Sequence, residues 1–421
     1  MPHRSRLLLA VLAACLTCAA PAAAAEFVPG EVIVHHEGGG APEVVSLERG
    51  QTVRGAVADL EADPGVDYAV PNYKARASAI WNDPGRSGEP TGWTSLQWNF
   101  IGDASVNAPE AWDLAAALGA PGGRGAVVAV VDTGAAYRTR GRFKRAPDLR
   151  RSTFVRGRDF VDGDKRPHDE FGHGTHVTGT IAQHVNNGIG VTGLAYNAKI
   201  MPVRVLDENG EGGAHQISRG IRWAAKRGAD VINLSLEFDP SITAEQVPGI
   251  ISAIRFAHRK GSIVVAAAGN ESDARIAYPA RARRALSVGG TTEHLCQADY
   301  SNSGNGLDLV APGGGNDAAN ADNPRDAQYC RPELTGRDIY QQTFVRNPRR
   351  FGLPGGYQGT SMAAPHVSAI AALVIATKRL GKNPKPRRIA AHLRQTALDL
   401  GPDGYDPRYG HGLVDAAAAL R

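Results

Sequence analysis

Apolar runs rich in valine and isoleucine recur from Leu96 to the C-terminus, separated by helical patterns. The strand candidates are residues 126–132, 199–206, 230–236, 262–269, 285–290 and 307–312, and the helical patterns include 176–185, 216–228 and 247–261. Apolar strands that alternate with helices are typical of a parallel sheet covered on both faces. The sequence therefore predicts an α/β fold, in which the functional site lies at the carboxyl ends of the strands.

The residues GTSMAAPH at 359–366 open another apolar run, VSAIAALVIA, at 367–376. This run is too non-periodic for a surface helix and predicts a helix that is buried on most sides and starts at or just before Ser361. Pro365 is an objection, because proline belongs in the first turn of a helix. A serine at such a start lies among unpaired N–H groups that can hold an oxyanion beside a nucleophile. The alternative is that Ser361 is simply the N-cap.

Three more polar residues stand at the ends of predicted elements. Asp132 ends one strand, Asn270 follows another, and His173 precedes an apolar helix in the run GHGTHV. Serine becomes a nucleophile when an imidazole accepts its proton, and a carboxylate fixes the tautomer of that imidazole. Asn270 and the Ser361 N–H would donate to the oxyanion. Together these residues predict a nucleophilic triad in the order Asp, His, Ser.

Four segments resemble, in order, the signatures of the subtilisin-like serine proteases: VAVVDTG, GHGTHVTGTIA, VVAAAGNES and QGTSMAAPHV. The resemblance runs from about residue 95 to the C-terminus and includes the closing YGHGLVDAAAA. It implies a three-layer fold with a mostly parallel sheet between helices, and a secreted endopeptidase that hydrolyses proteins and peptides through an acyl-enzyme. By resemblance, Asp132 orients the base, His173 is the general base and acid, Ser361 is the nucleophile, and Asn270 donates to the oxyanion.

Other interpretations of these residues stay open. His176 could replace His173 as the base, and His168, His173 and His176 could form a zinc cluster, although no HExxH run is present. Asn270 could be only a turn former. For the whole protein, one alternative is a catalytically silent subtilisin-fold binding protein. The other is an α/β-hydrolase esterase, which the GTSMA context disfavours because that fold uses G-x-S-x-G.

The N-terminus predicts export. A basic MPHRSR, an apolar LLLAVLAACLTCAA and an A-x-A site at Ala23–Ala25 are typical of a secretory signal. The alternative is a lipoprotein box that would anchor the chain through Cys15. No later stretch reaches membrane-spanning length. The net charge of +5 forms no basic stripe, so nothing indicates nucleic-acid binding.

The segment before the catalytic region has a strand-helix-strand pattern and resembles the inhibitory prodomain of these proteases. The predicted parts are a signal peptide at 1–25, a small α+β prodomain at 26–78, a linker or N-terminal arm at 79–94, and a catalytic domain at 95–421. The resemblance implies that the prodomain blocks the cleft of its own chain until autoprocessing around residues 74–96. An ordinary accessory domain is the alternative. We expect the mature enzyme to be a monomer.

Two cysteines follow the signal, Cys296 and Cys330. A pair in an exported chain predicts one disulfide that closes a long surface segment, and two buried free thiols are the alternative. Cys330 lies in a long insertion at 313–356, whose length indicates a functional or a disordered loop. The insertion could cover one side of the cleft, or it could be a tethered surface loop.

Two loops resemble calcium sites of this family, which would supply structural Ca²⁺ with the oxygen ligands it prefers. The first would use Asp148, Val185, Asn187, Ile189, Val191 and either Asp83 or Gln97. A plain Asn-Gly turn is its alternative. The second resembles a site of the thermitase-like branch and would use Asp159, Asp162 and Asp164. There His168, Lys165 and Arg166 depart from the pattern, and an exposed acidic turn is the alternative.

Two segments correspond to the walls of the primary substrate pocket, against which a substrate would pair in an extended form. They are formed by Leu236, Glu237, Phe238, Ala267, Ala268 and Gly269. Glu237 and Phe238 stand where subtilisins usually have two glycines, so their side chains would narrow or charge the approach. Glu237 together with Glu271 is expected to favour basic substrate side chains.

Overall fold

The computed structural model describes residues 27–48, 50–73, 81–319 and 324–421, which belong to two compact units. The predicted signal peptide with Cys15, and the first part of the interval predicted for autoprocessing, lie outside the described residues. Among the helices of the described residues, none is long and apolar enough to cross a membrane.

The first unit is a three-stranded antiparallel sheet with one helix, and the sheet order is β2-β1-β3. Its elements are β1 (Phe27–His36), β2 (Glu43–Ser46), α1 (Val53–Glu61) and β3 (Val66–Tyr73). Val32 and Val34, two apart on β1, lie on one face and pack with Val53, Ala56 and Ala69. The sequence analysis missed β2, because none of its residues is buried and it lacks the apolar signal of a strand.

The second unit begins with the segment at Trp81 and holds the other elements. They are α2 (Trp93–Leu96), α3 (Ala108–Ala117), β4 (Val127–Asp132), β5 (Thr153–Phe154), β6 (Arg158–Asp159), α4 (His173–Ala182), β7 (Lys199–Arg204), α5 (Ala214–Lys226), β8 (Val231–Leu234), α6 (Pro248–Lys260), β9 (Ile263–Ala267), β10 (Ala285–Thr291), β11 (Leu309–Pro312), α7 (Pro324–Tyr329), β12 (Thr343–Phe344), β13 (Phe351–Gly352), α8 (Thr360–Ala376), α9 (Pro386–Gln395) and α10 (Ala416–Leu420).

The strands β4 to β11 form a parallel sheet in the order β11-β10-β9-β8-β4-β7-β5, with β6 paired to β7. After β4 the chain forms β5, β6 and β7 on one side of it and then returns to build β8, β9, β10 and β11 on the other. Such a change of direction opens a crevice at the carboxyl ends of the strands. The predicted α/β fold with a mostly parallel sheet is confirmed.

Helices cover both faces of this sheet, as the side chains of β4 illustrate. Val128 and Val130 belong to the apolar layer that contains residues of α3, α4, α8 and α10, whereas Ala129 and Val131 belong to the layer of α5 and α6. The α8 helix lies in the first layer and packs against β8, β9, β10 and β11. It is buried from Met362 to Val374, which explains its lack of surface periodicity.

Much of the segment that composition predicts to be a linker is packed into the second unit. Trp93 is buried, the Asp83 side chain is only 2% exposed, and the Gly85 N–H donates to the Gly190 carbonyl at 2.8 Å. The described part of the 79–94 segment is therefore an N-terminal arm of the catalytic unit.

The 313–356 insertion is also anchored. Ile339 is fully buried, its carbonyl accepts a hydrogen bond from the His176 ring at 2.9 Å, and β12 pairs with β13 as a short hairpin. The Cys296 and Cys330 sulfurs are joined at 2.06 Å, so a disulfide ties one part of the insertion to the segment after β10.

Candidate active site

Asp132 and His173 form a hydrogen-bonded pair at the carboxyl edge of the sheet. Asp132 is the last residue of β4 and is fully buried, and its Oδ1 lies 2.8 Å from Nδ1 of His173, the first residue of α4. Burial alone would lower the pKa of His173, but nearby carboxylates outweigh it and leave that pKa raised, with the charge and hydrogen bond of Asp132 contributing most and Asp169 and Glu237 adding to them. With Nδ1 held by the carboxylate, Nε2 is the nitrogen that would take a proton.

The start of α4 is positioned by Asp169, which the sequence analysis did not single out. The Asp169 carboxylate accepts hydrogen bonds from Thr133 Oγ1 at 2.9 Å and from both the N–H and Oγ1 of Thr175 at 2.8 and 2.6 Å. Thr133 Oγ1 in turn accepts from the Gly174 N–H at 2.9 Å. A Cβ at Gly174 would lie 2.2 Å from the Gly134 carbonyl, so only glycine allows this approach of helix to strand. The network connects Thr133, which follows Asp132, with Gly174, which follows His173.

Ser361 lies in the first turn of α8 and is not the N-cap. The helix begins at Thr360, and the cap position is Gly359, whose φ of 141° is in the region that favours glycine. Pro365 lies inside the helix and cannot donate to the Ser361 carbonyl four residues earlier. Ser235 Oγ donates to that carbonyl at 2.8 Å and so replaces the missing helical bond. The N-cap interpretation of Ser361 is wrong.

Ser361 and His173 line the same cleft, which has a volume of about 430 Å³. Ser361 Oγ donates to the Ser235 carbonyl at 3.3 Å, a long bond for a hydroxyl and therefore a weak one. Other residues that line the cleft are Thr133, Phe171, Leu206, Glu211, Leu236 and Glu237. None of the described residues of the 313–356 insertion belongs to this lining.

Asn270 lies beside the start of α8. Its Oδ1 accepts a hydrogen bond from the Thr360 N–H at 2.7 Å, and this bond assigns the amide orientation. The Nδ2 donor then faces away from Thr360 and lies 2.9 Å from both carboxylate oxygens of Glu237. Asn270 and Glu237 were predicted for separate roles, and nothing in the sequence indicated that they bind each other.

The six residues predicted to form the substrate walls differ in their placement. Leu236 and Glu237 line the cleft with Ser361. Phe238 packs against the layer of α5 and α6, and the side chains of Ala267 and Ala268 are fully buried in the core. A Cβ at Gly269 would lie 2.1 Å from the Asn302 amide, so this residue also has no room for a side chain.

The first predicted calcium loop fits a hard cation. Asp83 and Asp148 are both buried, and burial raises the pKa of Asp148 to about 7, with the Asp83 charge contributing. Asn187 Nδ2 donates to Asp148 at 2.7 Å, and the Asn186 and Asn187 N–H groups donate to Asp83 at 2.8 and 2.9 Å. The two buried carboxylates are oxygen ligands of the kind that Ca²⁺ prefers, and the amide groups that bond to them here are N–H donors.

Three predicted ligands of this site, Val185, Ile189 and Val191, are in the loop that follows α4. The Val191 N–H donates to Asp148 at 3.2 Å, and the Ile189 N–H donates to Asn187 Oδ1 at 2.8 Å. Gln97 is bound elsewhere, because its Oε1 accepts from the N–H and Oγ1 of Thr192, both at 2.8 Å. Asp83, not Gln97, is therefore the residue of the N-terminal arm that joins the Asp148 loop.

The second predicted calcium loop does not fit a divalent cation, because the buried Arg204 guanidinium supplies the positive charge. Arg204 Nη1 lies 3.2 Å from Asp159 and 2.8 Å from Asp162, and Arg166 pairs with Asp164 at 3.6 Å. The Arg204 side chain is only 3% exposed. This pairing was not predictable from the sequence, since Arg204 is the last residue of an apolar strand far along the chain.

His168 and His176 have structural environments that separate them from His173. His176 stacks on Tyr357 at 4.1 Å, and burial lowers its pKa to about 3. His168 stacks on Phe143 at 4.4 Å, and burial lowers its pKa to about 4. Within the described residues, these histidines form no metal-ligand group with His173.

The fold and this site define an α/β serine hydrolase with the order Asp, His, Ser. Residues 123–412 match the model of the subtilase family, peptidase S8, and the chain belongs to that family. It is 35% identical over 363 residues to an alkaline protease of Alkalihalobacillus alcalophilus, covering 86% of this chain and 76% of that one. It is 38% identical over 300 residues to subtilisin BL of Lederbergia lenta, covering 71% of this chain and 92% of that one.

A similar solved structure is a protease from Pseudoalteromonas arctica PAMC 21717. The TM-score is 0.63 at 31% sequence identity, and the match covers 81% of this chain and 99% of that one. The resemblance to subtilisin-like proteases is therefore confirmed, and the protein is a subtilisin-like serine endopeptidase.

Proposed function

We propose that Ser361, His173, Asp132 and Asn270 carry out the peptide hydrolysis of this endopeptidase. The observation that supports this most directly is the Asp132–His173 hydrogen bond at the edge of the cleft that Ser361 also lines. Ser361 Oγ attacks the scissile carbonyl carbon while His173 Nε2 accepts its proton. The oxyanion receives hydrogen bonds from Asn270 Nδ2 and the Ser361 N–H.

The tetrahedral intermediate collapses when His173 gives its proton to the leaving amine, and the acyl group stays on Ser361. A water then attacks the ester carbonyl as His173 removes its proton, and the second collapse releases the carboxylic acid and restores the Ser361 hydroxyl. Asp132 holds the ring in the tautomer with Nδ1–H and stabilises the imidazolium formed in each step.

We infer that residues 26–78 act as an inhibitory prodomain and that the enzyme is secreted, with the lipid anchor at Cys15 as the alternative. Among the described residues of the first unit, five buried apolar side chains form the core. A domain that small is marginally stable by itself, which suits a segment that is removed after folding. We further propose that the mature protease is monomeric and that Ca²⁺ binds at Asp83 and Asp148.

The experiment compares the wild-type precursor with Ser361→Ala, following chain length and casein hydrolysis after secretion. We expect only the wild type to shorten by roughly the prodomain and to cut casein. A serine-directed phosphonate should label the wild type alone. If both chains stay full length, inert and unlabelled, the silent binding protein becomes the better interpretation. N-terminal sequencing that finds active enzyme starting at Glu26 would contradict the prodomain proposal.

A further inference from the structure

The carboxylate of Glu237 holds the amide that would stabilise the oxyanion. Asn270 Nδ2 lies 2.9 Å from both Glu237 oxygens, while Asn270 Oδ1 is held by the Thr360 N–H. The amide is thus fixed at both ends with its donor directed at an anion. An oxyanion would have to share that donor with Glu237, and the adjacent negative charge would oppose its formation.

Glu237 lies in an acidic and partly buried environment. Burial raises its pKa to about 7, neighbouring Glu271 adds to this rise, and the charge of His173 counteracts it. The Glu271 carboxylate is hydrogen-bonded to the backbone of Asn270. Its Oε2 accepts from the Asn270 N–H at 3.0 Å and from Asn302 Nδ2 at 2.6 Å. Two carboxylates therefore flank Asn270.

Among the described residues that line the cleft, His173 is the only one that can carry a positive charge. Among the described residues that line it, Glu211 and Glu237 are acidic and none is lysine or arginine. A partly buried carboxylate is stabilised most by a cationic partner, and a charge-assisted bond to that partner is stronger than a bond to a neutral amide. A basic substrate side chain would supply this partner.

We propose, on the basis of the proposed function, that Glu237 is the specificity-determining residue of this protease and also a gate on its oxyanion hole. Glu237 and Glu271 select a lysine or arginine on the acyl side of the scissile bond. The basic side chain draws the Glu237 carboxylate away from Asn270 Nδ2, and the released donor binds the oxyanion. A neutral side chain leaves Glu237 on Asn270, so the substrate binds but reacts slowly.

The gate predicts how the preference for basic side chains divides between kcat and KM. A basic side chain can be attracted to a carboxylate equally in the ground state and in the transition state. Such an attraction lowers KM without changing kcat. Release of an oxyanion donor acts only on the transition state and appears in kcat. The proposal therefore requires that part of the preference for lysine and arginine lies in kcat.

The test uses the matured wild-type chain and peptide pairs that differ only in the residue before the scissile bond, lysine or arginine against leucine. We expect kcat/KM to favour the basic peptides by about tenfold or more, the scale of one charge-assisted bond. Glu237→Gln, which keeps the shape and loses the charge, should abolish the preference. Glu237→Gly should raise kcat on the leucine peptide. Glu245→Gln removes one charge from an exposed turn and should keep the wild-type preference.

Equal kcat/KM on basic and leucine peptides in the wild type, or a preference retained in Glu237→Gln, overturns the proposal. A preference that lies wholly in KM overturns the gate. Labelling of Ser361 by an uncharged phosphonate distinguishes these results from failure of the proposed function. If the enzyme is labelled and cleaves basic and leucine peptides at equal rates, the role of Glu237 is excluded and the proposed function stands. If the chain is not labelled and cleaves no peptide, the role of Glu237 and the proposed function are both excluded.

Discussion

Ser235 and Ser361 exchange two hydrogen bonds of unequal quality. Ser235 Oγ donates to the Ser361 carbonyl at 2.8 Å, and Ser361 Oγ donates to the Ser235 carbonyl at 3.3 Å. The short bond satisfies a carbonyl that Pro365 leaves without its helical partner. The long bond is weak enough for the Ser361 hydroxyl to leave it and turn to His173. Ser235 therefore fixes the backbone of the nucleophile without trapping its side chain.

Replacing Ser235 with alanine should reduce both stability and kcat. The Ser361 carbonyl loses its donor, which costs about 1–3 kcal/mol when a buried acceptor is left unpaired. The less constrained backbone should lower kcat severalfold with little change in KM. Denaturant unfolding in a Ser361→Ala background and steady-state kinetics of the active enzyme measure the two effects.

The matched control is Ser262→Ala, because Ser262 Oγ also donates to a backbone carbonyl, that of Ala229 at 2.6 Å, and is buried away from the cleft. It should lose comparable stability and keep the wild-type kcat. Equal losses of kcat in both variants would contradict the positioning role of Ser235.

Asp132→Asn should lower kcat by about 10⁴-fold, the effect of the wrong imidazole tautomer. It should also move the acid limb of the pH profile. Burial lowers the pKa of His173, and nearby carboxylates, with Asp132 as the largest contributor, leave it raised. The base works when neutral, so activity rises as pH increases through this pKa. Without the carboxylate the pKa falls, and the limb shifts to lower pH. An unmoved limb in kcat/KM would assign it to another group.

Arg204→Met should strongly destabilise the protein, since it leaves the buried Asp159 carboxylate without its cation. Removing one partner of a buried pair costs about 3–5 kcal/mol. The double variant Arg204→Met with Asp159→Leu should recover part of this loss, because Asp159 is the most buried of the carboxylates that pair with Arg204. Urea unfolding of both variants, in a Ser361→Ala background, gives the coupling. A double variant no more stable than Arg204→Met would show that the two side chains do not act as a pair.

Chelation should lower the melting temperature of the Ser361→Ala protein more at pH 8 than at pH 6. Burial raises the pKa of Asp148 to about 7, so the metal-free folded state keeps a proton that the unfolded chain releases near its ordinary pKa. Metal-free stability therefore falls as pH rises between those two values. Ca²⁺ bound at the proposed site would pair with the ionised carboxylate and offset this loss.

Differential scanning calorimetry with calcium and with excess chelator measures this difference at each pH. Asp148→Asn should show no effect of chelator at either pH. A chelator effect that persists in this variant would place the cation elsewhere.

The strand ends and helix starts that carry the proposed triad could be predicted, because each lies at the border of a strongly apolar run. Asp132 and Asn270 follow such runs directly, and Ser361 precedes one. The contacts that join distant segments could not be predicted in this way. Arg204 pairs with carboxylates 45 and 42 positions away, and nothing in its local sequence distinguishes it from any other arginine at a strand end.

Composition left two alternatives for the segment at 79–94, a linker or an N-terminal arm. Its proline, glycine and serine residues could not predict that Asp83 accepts a hydrogen bond from Asn186, or that Trp93 packs against Trp112. Turn-forming residues indicate that a segment is irregular. They do not indicate whether it packs against the folded unit, because that depends on tertiary contacts.

The burial of α8 has a consequence for how the enzyme fails. The α8 helix is buried in the apolar layer from Met362 to Val374, directly after the proposed nucleophile Ser361. Local fraying cannot release this helix without exposing the layer around it, so the backbone of Ser361 moves only when the whole unit opens. Inactivation by heat should then proceed at the rate of global unfolding. A heated sample would contain fully active and fully inactive molecules in changing proportion, with no population of partly impaired enzyme between them.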